Sequence, residues 1–139
     1  MVSTIAHSSM PAEPLTMSEP RMVIAVNMAV NMGIGRLAAQ IAHAATQLII
    51  ESGKWNSEGT FSLSTCDDPE LRYWMKESFT KIVVKVWGED ALRSLQEQAD
   101  KAGLRTALMV EDDGQATALA LGPSASADLD RLTRHLSLM

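Results

Sequence analysis

A single cysteine, Cys66, stands in the 139-residue chain. No internal disulfide can form, which points to a reducing compartment and a cytoplasmic location. Cys66 lies in a Ser/Thr-rich connector and reads as an ordinary, partly exposed thiol. Aromatic residues are scarce: three Trp, two Phe and one Tyr. No series of them alternates with basic residues, as a platform for single-stranded nucleic acid requires. Basic charge is short as well. Twelve Lys and Arg against 17 Asp and Glu give a net charge of −5. That argues against DNA and against broad, non-specific nucleic-acid binding, but it leaves room for RNA in one local basic cleft. No apolar run is long enough to span a bilayer, so no membrane partner is expected. Residues 1–20 contain Pro11, Pro14 and Pro20 but no Lys or Arg. They match neither a secretory leader nor a mitochondrial presequence, and a flexible tail is expected there, with an ordered domain over residues 21–139. Metal patterns are missing: His7, His43 and His135 are far apart, and there is no Cys-x-x-Cys or His-x-x-x-His pair. No Gly-x-Ser-x-Gly nucleophile elbow occurs. There is no internal repeat.

What is present reads as one α/β domain. Apolar residues make up 46% of the chain, enough for a core. Met22 to Val26 is a short apolar run, as a buried strand should be. Ile34, Leu37, Ala38, Ile41, Ala45, Leu48 and Ile49 mark the apolar stripe of a helix that Gly53 ends. Residues 54–67 look irregular. Asp68-Pro69 starts a second helix, with Leu71, Trp74, Met75, Ser78 and Phe79 on its apolar side and Trp74 as packing. Ile82 to Val86 is a strand rich in β-branched residues. Ala91, Leu92, Leu95, Ala99 and Ala102 give a third helix, stopped at Gly103. Leu104 to Val110 and Thr117 to Leu121 read as two strands joined by the acidic turn Glu111-Asp112-Asp113-Gly114. A last helix carries Leu129, Leu132 and Leu136. This order predicts a mixed four-stranded sheet with helices on both faces, a three-layer sandwich.

The first helix carries the chemistry. Arg36, Gln40, His43 and Gln47 recur at spacings of four, three and four, which predicts one shared polar face. That face begins near the carboxyl end of the first strand, where ligands meet open α/β sheets. Gly33 and Gly35 allow a close or unusual backbone path before it. Gly33-x-Gly35 imitates a dinucleotide fingerprint, but the connector from Val26 is long and the acid some 20 residues on, Glu51, still lies in the helix. A helix N-terminus with Arg36 in its first turn can instead hold phosphate, although an exposed arginine beside packing glycines fits the same pattern. His43 lies off the apolar stripe and can act on water if it is oriented. Asp112 can supply a carboxylate, or serve simply to form the turn, as can Asp113.

The stretch Met32-Gly33-Ile34-Gly35-Arg36-Leu37-Ala38-Ala39-Gln40-Ile41-Ala42-His43-Ala44 resembles the archaeal/eukaryotic-type peptidyl-tRNA hydrolase family. The resemblance extends over about residues 22–138. Asp112-Asp113-Gly114 resembles the family's Asp-Ala-Gly turn, and Leu119-Ala120-Leu121-Gly122-Pro123 its Leu-Ala-Ile-Gly-Pro. The family's Arg-Thr-Asp-Leu-Lys is replaced by Asn27-Met28-Ala29-Val30-Asn31. One family lysine has become Ile34 and another Arg36. A stretch of loop after Gly114, which carries a functional threonine in the family, is missing, and Thr117 resembles a second, downstream threonine. The shortened loop and the tryptophan-bearing centre resemble a divergent eukaryotic branch of domain-containing proteins. The resemblance implies hydrolysis of the ester between peptide and tRNA, weakened by the missing charges and requiring no cofactor. It implies His43, Asp112 and Thr117 as catalytic residues, and Gly33, Gly35, Arg36 and Gln40 as substrate-binding. It also implies tRNA as partner and a homodimer, the commonest closed assembly. The alternative is a non-catalytic RNA- or protein-binding adaptor on the same scaffold.

Overall fold

The computed structural model describes residues 19–139. Most of the stretch expected to be a flexible tail, residues 1–18, lies outside the described residues. Glu19 and Pro20 are held down: their carbonyls accept hydrogen bonds from Ser126 Oγ at 2.7 Å and Ser78 Oγ at 2.8 Å.

Strand β1 (Arg21–Asn27) begins the main sheet, followed by helix α1 (Ile34–Ser52). A small hairpin, β2 (Lys54–Trp55) and β3 (Phe61–Ser62), precedes helix α2 (Pro69–Tyr73). A π-helical turn over Trp74–Ser78 leads into β4 (Lys81–Val86). Helix α3 (Glu89–Lys101), β5 (Thr106–Val110), β6 (Ala116–Ser124) and helix α4 (Ser126–Thr133) complete the order. The four long strands lie in the order β4-β1-β6-β5, with β1 parallel to β4 and antiparallel to β6, and β5 antiparallel to β6. This is the expected mixed sheet.

Both sheet faces are covered. Met22 and Ile24 of β1 pack with Ala118 and Ala120 against Ala44, Leu48, Leu71 and Trp74, beneath α1 and α2. Val23 and Ala25 point the other way and join Leu119 and Leu121 against Leu92, Leu95, Ala99 and Leu129, beneath α3 and α4. Period-two alternation in a strand covered on both sides gives the continuous apolar run read in the sequence. No helix among the described residues is long and apolar enough to cross a membrane.

Four local readings are corrected. Residues 54–67 are not wholly irregular: Trp55 and Phe61 pair across the hairpin with ring centroids 5.2 Å apart. Asn56 Oδ1 accepts the amides of Glu58 and Thr60 in its turn, both at 2.9 Å. Strands of two residues are too short to show a period. In α1 the buried stripe is Gln40, Ala44 and Leu48, flanked by Leu37, Ile41 and Ala45, while Ile34 is 86% exposed and Ala38 faces solvent. The helix is rotated because a polar residue, Gln40, is buried for its hydrogen bonds. After α2 the amide of Phe79 reaches back five residues to Trp74 O at 2.8 Å. That wider turn breaks the 3.6-residue phase, so Trp74 is buried but Met75 and Phe79 are exposed. Finally β6 continues through Gly122 to Ser124 instead of ending at Leu121. A β-carbon at Gly122 would lie 2.9 Å from Ser124 N, and its φ of +98° suits only glycine.

Candidate active site

The carboxyl end of β1 is organised by Asn27. Its side chain is buried, donating to Ala116 O at 2.9 Å and accepting the amides of Ala29 and Gly88, each at 3.0 Å. One side chain thereby ties the connector after β1 to the start of β6 and to the turn before α3. The connector then delivers Gly33 as the N-cap of α1. Gly33 has an ordinary extended backbone, with φ −68° and ψ 167°, and a β-carbon at Gly33 or Gly35 would meet nothing within 4 Å. The unusual backbone path expected there is absent, because the connector is long enough to turn without strain. What the glycines leave is open space at a helix N-terminus. The first intrahelical bond runs from Leu37 N to Gly33 O at 2.9 Å, so the amides of Ile34, Gly35 and Arg36 lie ahead of the helical ladder.

One turn further on, Arg36 and Gln40 converge on Glu111, the last residue before the β5–β6 turn. Arg36 Nε donates to Glu111 Oε2 at 3.2 Å, and Arg36 Nη2 forms an ion pair with Oε1. Gln40 Nε2 donates to Oε2 at 3.0 Å. The Glu111 bond, with the nearby charges of Glu111 and Asp113, raises the Arg36 pKa and keeps it a cation. On its other side Gln40 Oε1 accepts the Thr117 hydroxyl at 2.6 Å. Thr117 reaches it through a β-bulge. Met109 pairs with Ala118 and Val110 with Ala116, so Thr117 has no partner of its own in the ladder. A bulge re-aims a side chain, here toward α1.

Gln40, His43, Met109, Val110, Glu111, Asp112 and Asp113 line one open cavity of about 540 Å³. Within the turn, Asp113 Oδ1 accepts Gln115 N at 2.9 Å, which commits Asp113 to forming it. Asp112 is exposed, and among the described residues no hydrogen bond or ion pair engages its carboxylate. The same is true of the exposed His43 ring. No cluster of three His, Cys, Asp or Glu suited to a metal occurs among the described residues.

The sequence-predicted residues therefore meet at one end of the sheet, with two changes of role. Gln40 is buried and does not share an exposed polar face with Arg36 and His43. Thr117 is fully buried, with its hydroxyl given to Gln40, so it does not itself line the cavity. Glu111 and Asn27 were missed. Glu111 is hidden among three consecutive turn-like residues, and no local period sets it apart. Asn27 stands where the resembling family has arginine, and only the tertiary fold reveals its three hydrogen bonds.

The profile of the family described as peptidyl-tRNA hydrolase PTH2 matches residues 20–139. A peptidyl-tRNA hydrolase of Halobacterium salinarum is 38% identical over 124 residues, covering 85% of this chain and 98% of the relative. One from Thermoplasma acidophilum is 32% identical over 125 residues, covering 86% and 97%. A Drosophila melanogaster protein named probable peptidyl-tRNA hydrolase 2 is 33% identical over 127 residues, covering 86% of this chain and 61% of the relative. An α/β sandwich with a polar cleft at the carboxyl end of its parallel strands is the class that fold and site define. The chain belongs to the PTH2 family of peptidyl-tRNA hydrolases.

Proposed function

We propose that the protein hydrolyses the ester joining a peptide to tRNA, with slow turnover. The observation that carries this is the Arg36–Glu111–Gln40–Thr117 network, set beside the unengaged groups of Asp112 and His43 in one cavity. Water attacks the ester carbonyl carbon while Asp112 or His43 takes its proton. Gln40 has one amide N–H beyond the one given to Glu111, and it serves as a neutral donor for the developing oxyanion. The tetrahedral intermediate then collapses, the bond to the ribose oxygen breaks, and that oxygen regains a proton. The products are a peptide carboxylate and tRNA. Arg36 and the amides ahead of the α1 ladder receive phosphate, the open space over Gly33 and Gly35 admitting it closely. Thr117 acts as a positioning residue behind Gln40. The protein works in the cytoplasm, as its lone cysteine suggests, and as a homodimer.

A second reading is favoured by Asn27, Ala29, Asn31 and Ile34, which stand where the family places charged groups: a non-catalytic adaptor that binds RNA or protein. A time course with defined peptidyl-tRNA separates the two. Wild type should release peptide, and Asp112→Asn and His43→Ala, confirmed folded, should each lower the rate, about 10²-fold for whichever group activates the water. Rates equal in all three and above the spontaneous rate would remove both residues from the chemistry.

A further inference from the structure

Glu111 holds both Arg36 and Gln40 at the cleft, yet it is not one of the groups assigned to the chemistry. Its two oxygens are divided. Oε1 takes Arg36 Nη2, and Oε2 takes both Arg36 Nε at 3.2 Å and Gln40 Nε2 at 3.0 Å. We propose that Glu111 is a positioning residue for this reaction, one that fixes both the phosphate-binding edge of Arg36 and the direction of the Gln40 amide. The inference rests on the peptidyl-tRNA reading above.

Two consequences of the geometry carry it. First, a guanidinium has a planar fork of five N–H donors. Glu111 holds it by the Nε/Nη2 edge, leaving the Nη1 edge, which otherwise has only Asn31 O at 3.5 Å, for a bidentate phosphate contact. Without Glu111, nothing else in the cleft holds Arg36 by that edge, and the long side chain regains its rotamers. Second, a primary amide can flip. Because a carboxylate only accepts, Gln40 must present its NH₂ to Glu111 and its oxygen to Thr117, whose hydroxyl donates at 2.6 Å. The charge on Glu111 therefore sets the sense of the whole relay from Glu111, just past β5, through α1 to β6. Three donors converge on the Glu111 carboxylate, whereas Asp112 and His43 have no such partners among the described residues and are the candidates for water activation.

The proposal makes a prediction opposite in sign to simple electrostatics. Removing a carboxylate beside a phosphate site should by charge alone tighten RNA binding. If Glu111 positions Arg36 and Gln40, Glu111→Gln should weaken it. The experiment measures kcat and KM for peptidyl-tRNA and the affinity for deacylated tRNA, in wild type, Glu111→Gln, Gln40→Ala and the double variant, with thermal melts to confirm folding. The expected result is a kcat lowered by about tenfold or more in Glu111→Gln, since small misplacements of reacting groups cost that much, with KM raised and tRNA bound more weakly. In the Gln40→Ala background the same substitution should change kcat less than in wild type, because the two act through one network. An unchanged kcat with a lower KM and tighter tRNA binding would overturn the proposal and make Glu111 a mere electrostatic brake. Full additivity of the two substitutions in kcat would also overturn it. If wild type releases no peptide, the hydrolase reading fails separately, and tRNA affinity still decides: weaker binding in Glu111→Gln supports the Arg36 role, and tighter binding refutes it.

Discussion

In the proposed mechanism Thr117 acts without touching substrate. It is wholly buried on a bulged strand, and its hydroxyl is the donor that completes Gln40. Thr117→Val keeps the shape but leaves the buried Gln40 oxygen without that donor, which should cost about 1–3 kcal/mol of stability. Because Gln40 also borders the cavity, kcat should fall with it, and thermal melts beside turnover measurements check both effects. A variant of normal stability and normal kcat would place Thr117 outside the relay. At this scale the sequence was legible wherever side chains sat in a recognisable string, as from Gly33 to His43. It was silent where a partner came from a distant element. Glu111 lies 75 and 71 positions from the residues it holds, and no local pattern encodes such a meeting.

Helix α1 brings the free amides of its first turn, Arg36 and Gln40 together on one element. Its apolar period correctly placed the helix and its end at Gly53, but the stripe was set about one position too far toward Ile34 and Ala38. Hydrophobicity alone cannot foresee a glutamine drawn inward by a carboxylate and a hydroxyl. The π-turn after α2 defeated the same method for Met75 and Phe79, because one wider turn shifts every later side chain. The glycines at the start of α1 give a prediction at this scale. Neither has a positive φ, and neither lacks room for a β-carbon. Gly33→Ala and Gly35→Ala should therefore fold normally, with Gly35→Ala more stable by up to about 1 kcal/mol from helix propensity. Both should raise KM for peptidyl-tRNA if phosphate approaches over the open backbone. A severe loss of stability in melting experiments would show that the glycines serve the fold instead.

The whole chain carries a net charge of −5, and Arg36 places a cation at the candidate site. The order of elements along the chain, the mixed sheet and the two helical layers were readable because burial on both faces, turn chemistry and helix stops agreed along the chain, while the order of strands within the sheet was not. The hairpin at residues 54–62 and the C-terminal residues beside β4 were not. Their pairing, Lys85 N to Ser137 O and Met139 N to Val83 O, both at 2.9 Å, follows from an otherwise open sheet edge and not from any local signal. For the proposed homodimer, sedimentation equilibrium should give about twice the 15.1 kDa of one chain, and a mass that stays at one chain at high concentration would withdraw it. Catalysis itself is tested most directly by single-turnover hydrolysis of a defined peptidyl-tRNA, with enzyme in excess at low salt, beside Asp112→Asn and an enzyme-free control. The account predicts peptide release in wild type clearly faster than the spontaneous rate. Release no faster than the control, from folded protein that still binds tRNA, would contradict it and leave the adaptor reading in its place.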